Sequence, residues 1–300
     1  MSSTISALDS TANWRDYLEL CKPKVVFLLL ITAVVGMQLA SPYWVPISTV
    51  IIATIGIGFA AASAAVINHV VDAKIDAKMH RTKNRPVVQG NMNNNQALLF
   101  SAVLGISSMF ILVVFVNTLT AILSLVGLIG YAVIYTIFLK HATPQNIVIG
   151  GLAGALPPLI GWAAVTNTIS HEGILLVLII FVWTPPHFWA LAIDRIDDYK
   201  KAQVPMLPVT HGIAFTKTCI FAYSLALWIV SLAPFFVGMS GFLYLISASI
   251  LGGWFSYYAW ALKYRPSKGI AIKTFMVSVK YLFYLFSALL ADHYIAMLIR

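Results

Sequence analysis

Charged residues are scarce in this sequence. Asp, Glu, Lys and Arg make up 10% of the 300 residues, whereas a soluble globular protein carries about 25%. Hydrophobic residues account for 60%, and the mean hydropathy is +0.88. The low charge excludes an ordinary soluble domain, and it indicates an integral membrane protein that crosses the bilayer several times.

Acidic residues are scarcer than basic ones. Ten Asp and Glu stand against 19 Lys and Arg, which leaves a formal net charge of +9. No basic run with interleaved aromatic residues occurs, so nucleic acid is not an expected partner. In a membrane protein the excess reports on topology, because Lys and Arg collect in cytoplasmic loops.

Cysteine is almost absent, and no targeting signal is expected at the N-terminus. Cys21 and Cys219 fall at the edges of predicted loops and are expected to form neither a disulfide nor a metal pair. The first 20 residues are too polar for a secretory signal and too acidic for a transit peptide, since they contain Asp9, Asp16 and Glu19.

Nine stretches approach the length of about 20 mostly apolar residues that a spanning helix needs. They are residues 24–42, 46–70, 97–116, 119–139, 146–165, 173–193, 215–238, 241–262 and 275–298. With the N-terminus inside, 17 of the 19 Lys and Arg residues fall on the inner side, as the positive-inside rule requires. The sequence therefore predicts an all-α bundle of nine transmembrane helices, with the N-terminus inside and the C-terminus outside.

The chain is predicted to form a single domain over residues 1–300. Residues 1–22 form a cytoplasmic segment, and the two long inner loops, about residues 72–95 and 194–214, are rich in charge. The outer connections are short and lack Lys and Arg. Function is therefore expected at the inner face, and a bacterial inner membrane with the active site facing the cytoplasm is the expected location.

Polar residues recur every four positions at the start of the first long loop. Asn68, Asp72 and Asp76 would share one face of a helix, with neighbouring Cβ atoms about 5 to 6 Å apart. Two carboxylates so close need a cation, and Mg²⁺ prefers oxygen ligands supplemented by substrate phosphates. We call these three residues the acidic comb. Five bases that could bind a diphosphate follow its first carboxylate: Lys74, Lys78, Arg81, Lys83 and Arg85.

A second acidic cluster follows the sixth apolar stretch. Asp194 and Asp198 repeat the four-residue spacing, and Arg195 is placed on the same side. Two acid clusters with basic companions at one membrane surface predict metal ions on either side of a polyanion. By analogy with soluble terpene enzymes, this indicates prenyl diphosphate chemistry. An ordinary set of juxtamembrane charges would explain either cluster alone, but explains both together less well.

The comb and the Arg81-Thr-x-x-Arg85-Pro86 string that follows it resemble the intramembrane prenyltransferases of the UbiA superfamily. Within that superfamily, further strings resemble the protohaem IX farnesyltransferases, also called haem O synthases. These strings are Lys22-Pro23, Tyr135-Thr136 with Leu139-Lys140, residues 143–155, Pro157-Pro158 and residues 183–192. The resemblance extends from about residue 20 to 213, with two departures: Gln203 stands where the family usually has glycine, and Asp194 where relatives are often apolar.

The resemblance implies that a farnesyl group passes from farnesyl diphosphate to a vinyl group of haem B, giving haem O and diphosphate after addition of water. It implies Mg²⁺ as cofactor, the bilayer as environment, and a downstream haem-modifying enzyme or terminal oxidase as partner. The expected metal ligands and catalytic residues are Asn68, Asp72, Asp76 and Asp198, with Asp194 as a further metal ligand. The expected diphosphate ligands are Arg81, Arg85, Arg195 and Lys22; Lys22 equally suits a positive-inside anchor.

Two aromatic sites remain open to alternative interpretations. Tyr131 and Tyr135 are one helical turn apart; Tyr135 is a candidate for contact with an allylic cation through its ring face, although core packing is the commoner role. His187 follows Pro185-Pro186 inside an apolar stretch. Its ring could contact the haem iron or a propionate, or it could satisfy a backbone carbonyl that the prolines leave free.

Two other functions compete with haem farnesylation. A related prenyltransferase acting on a phenolic quinone precursor, and a secondary transporter of an anion, would each need the same basic inner face. The Trp183-Thr-Pro-Pro-His187 string favours a haem acceptor through the resemblance. A transporter is expected to have broken helices near the membrane midplane in two repeated halves, whereas the charges here crowd one surface.

Overall fold

The computed structural model describes residues 12–80, 82–265 and 267–299, except the side chain of His141. Over these ranges the chain is mostly helical and contains no strand. Eight helices are long and apolar enough to cross a membrane, and the count is nine if a pair of helices bent by 52° forms one span. The predicted all-α membrane bundle is confirmed, and the chain is a multi-pass membrane protein.

The helices are numbered in chain order. They are α1 (Trp14–Leu20), α2 (Pro23–Leu39), α3 (Ile47–Asp76), α4 (Pro86–Gln89), α5 (Asn94–Phe115), α6 (Thr118–Ile129), a π-helix (Gly130–Leu139), α7 (Lys140–Ala142), α8 (Asn146–Ala155), α9 (Pro157–Thr166), α10 (His171–Asp194), α11 (Ile196–Lys201), α12 (Leu207–Thr210), α13 (Gly212–Phe236), α14 (Phe242–Tyr264) and α15 (Ile270–Ile299). The bent pair consists of α1 and α2.

The nine predicted stretches correspond to these helices, with three differences in detail. The second runs six residues further, to Asp76, because no glycine or proline occurs between Gly58 and Pro86 to end it. The fourth changes from α- to π-helix at Gly130. The fifth is divided between α8 and α9 at Pro157, whose nitrogen cannot donate a hydrogen bond.

Small residues let the helices of the first half approach closely. A Cβ added to Gly161 in α9 would lie 1.9 Å from the carbonyl oxygen of Ala33, and one added to Gly36 in α2 would lie 2.0 Å from that of Pro158. Between α3 and α5, the hydroxyl of Ser108 donates to the carbonyl of Gly56 at 2.7 Å. In lipid such close packing and interhelical hydrogen bonds hold helices together, because burial of apolar surface gives little driving force there.

The predicted inner loops are partly helical. Residues 72–76 belong to α3, and the loop before α13 contains α11 and α12. Tyr199 of α11 lies in the same hydrophobic cluster as Met79 of the first loop. The two loops are therefore packed together at one end of the bundle.

The backbone conformation of Gln203 explains why the resembled family usually has glycine at this position. Its φ is 56°, in the left-handed region, which costs an ordinary residue about 1 to 2 kcal/mol and costs glycine little.

We expect Gln203→Gly to raise the free energy of unfolding by about 0.5 to 1 kcal/mol, since the greater conformational freedom of glycine in the unfolded chain offsets part of the strain that is removed. Denaturation in detergent measures this, with Gln203→Ala as the control that keeps the strain; equal stability of the two variants would contradict it.

Candidate active site

The acidic comb lies along one face of α3, near the end that leads into the first long loop. Asn68, Asp72 and Asp76 are all inside the helix, as the spacing predicts. Their exposed fractions are 4%, 2% and 3%. Buried carboxylates are retained only when they are paired, hydrogen-bonded or bound to a cation, so the surroundings of the comb decide what the site can do.

Lysine side chains from two distant parts of the chain contact the first two residues of the comb, Asn68 and Asp72. The ammonium of Lys22, in the turn between α1 and α2, donates to the side-chain oxygen of Asn68. The ammonium of Lys140 lies 2.6 Å from Oδ2 of Asp72. The amide of Asn68 also donates to Oδ2 of Asp72 at 2.7 Å. Oδ2 of Asp72 therefore accepts from both Lys140 and Asn68.

The π-helix presents polar groups to the same place. The amide of Asn68 donates to the hydroxyl of Thr136 at 3.1 Å, and that hydroxyl donates to the carbonyl of Tyr131 at 2.8 Å. Tyr131 and Tyr135 stack with their ring centroids 5.6 Å apart, and Lys22 lies 5.8 Å from the Tyr131 ring centroid. Wide helical turns of this kind often occur at functional sites.

Tyr135 also packs against α8. A Cβ added to Gly150 would lie 2.1 Å from the Tyr135 ring, so this glycine makes room for the tyrosine. Thr136, the residue directly after Tyr135, accepts a hydrogen bond from Asn68 of the comb. Tyr135 therefore both packs in the bundle and lies close to the comb.

The last residue of the comb, Asp76, is paired with an arginine. Arg85 forms an ion pair with Oδ2 of Asp76, and both side chains are largely buried. The hydroxyl of Thr82 donates to the Asp76 carbonyl at 3.1 Å, which ties the loop back to the end of α3. This arrangement keeps the loop cations next to the carboxylates.

The ionisable side chains at the comb carry more positive than negative charge. Three cations, Lys22, Arg85 and Lys140, adjoin two carboxylates. Both carboxylates already have a cationic partner, so the remaining charge favours an anionic ligand. The spacing of the comb predicts its shared face, but it does not reveal this balance.

Oxygen ligands suitable for Mg²⁺ are present. Oδ1 of Asp72 is buried and has no hydrogen-bond partner within the described part of the chain, an arrangement that a bound cation would satisfy. No group of three or more His, Cys, Asp or Glu side chains in the described residues could hold a metal ion. The donor set still fits Mg²⁺, which is usually bound through one or two carboxylates together with waters and substrate phosphates.

The second acidic cluster lies at the surface. Arg195 contacts Asp194 at 3.3 Å, with both side chains partly exposed, whereas Asp198 is partly buried in the first turn of α11. Tyr199, one residue further, is buried next to Met79. The packing of the loops thus brings α11 towards the first loop, while Asp194 and Arg195 pair with each other.

His187 occupies an aromatic layer between α10 and α15. Its ring stacks on Trp183 and Phe275, with centroids 4.1 and 4.5 Å away. Nδ1 is 2.7 Å from the hydroxyl of Ser278, so this nitrogen is engaged with a side chain of α15 and not with a carbonyl freed by the prolines. The helix continues unbroken through Pro185 and Pro186.

Three residues of the site are absent from the sequence-based assignment, and one assigned residue cannot be placed. Lys140 and Thr136 contact residues of the comb, and His69 directly follows Asn68 in α3. Their local signals are weak: a single lysine after an apolar run, a threonine inside it, and a histidine next to Asn68. Arg81 lies outside the described residues.

Comparison with known proteins gives one family and several similar chains. The model of the UbiA prenyltransferase family matches residues 29–287. A protohaem IX farnesyltransferase of Idiomarina loihiensis is 57% identical over 284 residues, covering 95% of each chain. The enzyme of the same name from Hahella chejuensis is 57% identical and covers 98% of each chain. That from Azotobacter vinelandii is 56% identical and covers 98% of this chain and 99% of its own.

Solved structures share the fold at lower identity. A UbiA homologue from Aeropyrum pernix K1 has a TM-score of 0.72 at 18% identity and covers 90% of this chain and 98% of its own. A UbiA homologue from Archaeoglobus fulgidus bound to DMAPP and Mg²⁺ has a TM-score of 0.64 at 16% identity and covers 91% and 99%. These likenesses establish the same helical architecture.

Proposed function

The chain belongs to the UbiA prenyltransferase family, and from that premise we propose that it transfers a farnesyl group from farnesyl diphosphate to haem B. The transfer gives haem O and diphosphate. The observation that carries the proposal is the buried comb of Asn68, Asp72 and Asp76, with Lys22, Arg85 and Lys140 beside it. This arrangement suits a diphosphate, and the relatives at 56–57% identity that are named for protohaem favour haem over a phenolic acceptor.

The reaction divides into heterolysis, bond formation and hydration. The bond between the allylic carbon and the diphosphate oxygen breaks, and its electron pair leaves with the diphosphate. A vinyl carbon of haem B forms a carbon–carbon bond with the allylic cation, which moves the positive charge to the porphyrin side chain. Water adds to that carbon and loses a proton, which leaves the hydroxyl group of haem O.

The cationic side chains stabilise the leaving group. Negative charge grows on the diphosphate during heterolysis, and preorganised donors aimed at developing charge supply the largest part of such catalysis. The contacts of Lys22 with Asn68 and of Arg85 with Asp76 support this role for the two cations. Arg81 and Arg195 are proposed as further donors from the two loops.

The carboxylates of the comb would hold the cofactor. Mg²⁺, which accompanies a prenyl diphosphate in the Archaeoglobus fulgidus homologue, would neutralise diphosphate charge when bound here. We assign Asn68, Asp72 and Asp76 as its ligands, with the free Oδ1 of Asp72 as the strongest support. Asp198 and Asp194 are proposed for a second ion on the α11 side. Of these two, Asp198 is the better placed, because Asp194 is paired with Arg195.

The tyrosine pair is proposed to protect the reacting cation. The rings of Tyr131 and Tyr135 stack beside Lys22, and an aromatic face stabilises a nearby cation by about 0.5 to 2 kcal/mol. The apolar walls of the bundle exclude water until the new carbon–carbon bond has formed.

Haem is proposed to contact His187. This residue lies seven positions before the end of α10, and Asn68 lies eight before the end of α3, which is about 10 to 12 Å along each helix. Both helices lead into the inner loops, so the two residues are expected at similar depth in the membrane. The ring is stacked and held through Nδ1, an arrangement that would orient Nε2 towards the iron or a propionate.

Substitution of His187 is expected to separate the two substrates. His187→Ala and His187→Phe should each weaken haem binding by roughly tenfold or more, while farnesyl diphosphate binding stays near normal. The phenylalanine keeps the stacking on Trp183 and Phe275, so it removes only the ring nitrogens. A haem titration, a farnesyl diphosphate titration and a melting curve on each variant measure this. Wild-type haem affinity in a stable His187→Phe protein would refute the haem contact.

The function is tested by the haem that the protein makes. Purified protein with farnesyl diphosphate, haem B and Mg²⁺ is expected to release diphosphate and to form a haem whose mass has gained a farnesyl group and a hydroxyl group. Prenylation of a phenolic acceptor with no change in haem would establish the quinone-precursor alternative. Uptake of an anion into vesicles without either product would establish transport.

The active site is proposed to face the cytoplasm at a bacterial inner membrane. Tags inserted after Arg81 and after Lys200 are expected to report the cytoplasm, and a tag after Arg300 the opposite side. The expectation rests on the 17 of 19 Lys and Arg residues assigned to the inner side. A cytoplasmic signal from the C-terminal tag would mean that the number of spans is even. The product haem would then pass to a haem-modifying enzyme or a terminal oxidase at the same membrane.

A further inference from the structure

His69 is a buried polar residue whose ring nitrogens have no hydrogen-bond partner among the residues that the structure describes. Its exposed fraction is 2%, and both ring nitrogens are buried without a hydrogen bond. A buried polar atom without a hydrogen bond destabilises the folded protein, so two such atoms on one ring indicate that a ligand binds there. Packing alone does not explain a histidine here, because an apolar residue would fill the same space without that cost.

The position of His69 points it towards the acidic comb. It precedes Asp72 by three residues and Asp76 by seven on α3, and both spacings return to nearly the same helix face. Lys22 contacts Asn68, the residue directly before His69, and Arg85 pairs with Asp76, seven residues after it. His69 therefore belongs to the stretch of α3 that is contacted by both cations that the proposed function assigns to the diphosphate.

The available chemistry favours an anion as the missing partner. A histidine ring donates at least one N–H in either protonation state. Mg²⁺ prefers oxygen ligands to imidazole, and the cations around His69 favour an anionic group next to it. Phosphate oxygens accept several hydrogen bonds at once, so one of them can complete the partners of this ring.

We propose that His69 binds the diphosphate of the prenyl substrate by donating a ring N–H to one of its oxygens. The inference rests on the proposed function and adds one residue to the diphosphate site. His69 therefore lowers the stability of the unliganded protein, and its hydrogen bond to the bound substrate compensates for this loss. The opposite effects on stability and on binding distinguish this role from a structural one.

Two substitutions at His69 and one elsewhere on α3 test the proposal. His69→Phe keeps a ring and removes the nitrogens, whereas His69→Gln keeps a side-chain N–H. Thr54→Val is the matched control, because the Thr54 hydroxyl is also buried without a partner and lies 15 residues away, about 22 Å along the helix. Calorimetric titrations with farnesyl diphosphate and with inorganic diphosphate, each with Mg²⁺, a haem titration and a melting curve are run on each protein.

The expected pattern is specific. His69→Phe should bind both diphosphates roughly ten- to a hundredfold more weakly, the usual effect of losing a hydrogen bond to a charged group. It should bind haem as wild type does and melt at a higher temperature. His69→Gln should recover part of the diphosphate affinity, and Thr54→Val should bind every ligand normally.

Three results would overturn the proposal. The first is wild-type affinity of His69→Phe for both diphosphates. The second is a parallel loss of haem binding, diphosphate binding and stability, which would assign a structural role. The third is a wild-type protein that binds neither diphosphate. If the protein binds inorganic diphosphate but makes no farnesylated haem, the proposed function fails, and the titrations with inorganic diphosphate still decide the role of His69.

Discussion

Asp72→Asn is expected to reduce turnover by roughly 10² to 10³-fold, the size of effect that follows removal of one electrostatic contact at a reacting centre. The substitution keeps the shape of the side chain and removes one of two negative charges at the comb. The free Oδ1 of Asp72 is the oxygen best placed for Mg²⁺, and the amide that replaces the carboxylate carries at most one oxygen. Diphosphate release at saturating Mg²⁺ measures the effect, and Asp76→Asn is expected to behave in the same way.

The protein should remain folded in this variant. The amide oxygen of an asparagine can still accept from Lys140, which lies 2.6 Å from Asp72, so that one contact persists. Asp292→Asn is the matched control. Asp292 is a buried carboxylate of α15 that accepts from the backbone nitrogens of Gly241 and Tyr244 at the start of α14, outside the proposed site. This control is expected to turn over normally, and wild-type diphosphate release by Asp72→Asn would exclude the metal assignment.

Gly161→Ala is expected to lower the free energy of unfolding by about 3 kcal/mol, the upper end of the usual effect of overpacking. The added Cβ would lie 1.9 Å from the carbonyl oxygen of Ala33. A main-chain oxygen cannot rotate away as a side chain can, so the whole of α2 must shift relative to α9. Because Lys22 immediately precedes α2, we also expect weaker diphosphate binding.

Denaturation in detergent measures the loss of stability. Gly154→Ala is the control, since a Cβ at Gly154 in α8 would meet nothing within 4 Å. That substitution should be neutral or stabilising by up to about 1 kcal/mol, because alanine is the better helix former. Equal melting temperatures for the two variants would show that α2 and α9 are not packed as closely as described.

The comb illustrates how far the sequence alone leads. Its four-residue spacing predicts one helix face, and α3 carries Asn68, Asp72 and Asp76 as expected. The membrane class and the position of the spans also follow from local composition, because a spanning helix satisfies its backbone within one continuous segment. These properties depend on near neighbours in the chain, so the sequence by itself determined them.

The partners of the comb depend on distant parts of the chain. Lys140 is 68 residues from Asp72, and its contact requires the π-helix to end beside α3. Ser278, the partner of His187, is 91 residues away on the last helix. No periodicity relates such pairs, since their meeting is set by how whole helices pack.

The unsatisfied ring of His69 could be recognised only in three dimensions. In the sequence it is one histidine among seven, with no ligand spacing to distinguish it. Its significance comes from its two buried nitrogens, which have no hydrogen-bond partner in the ranges that the structure describes, and local sequence does not reveal this. The sequence determined a membrane-embedded helix bundle with the acidic comb, because these follow from hydropathy and helical period. Only the tertiary structure decided which cations neutralise the comb and which polar atoms remain for a ligand, because those depend on the close approach of helices that are distant in the chain.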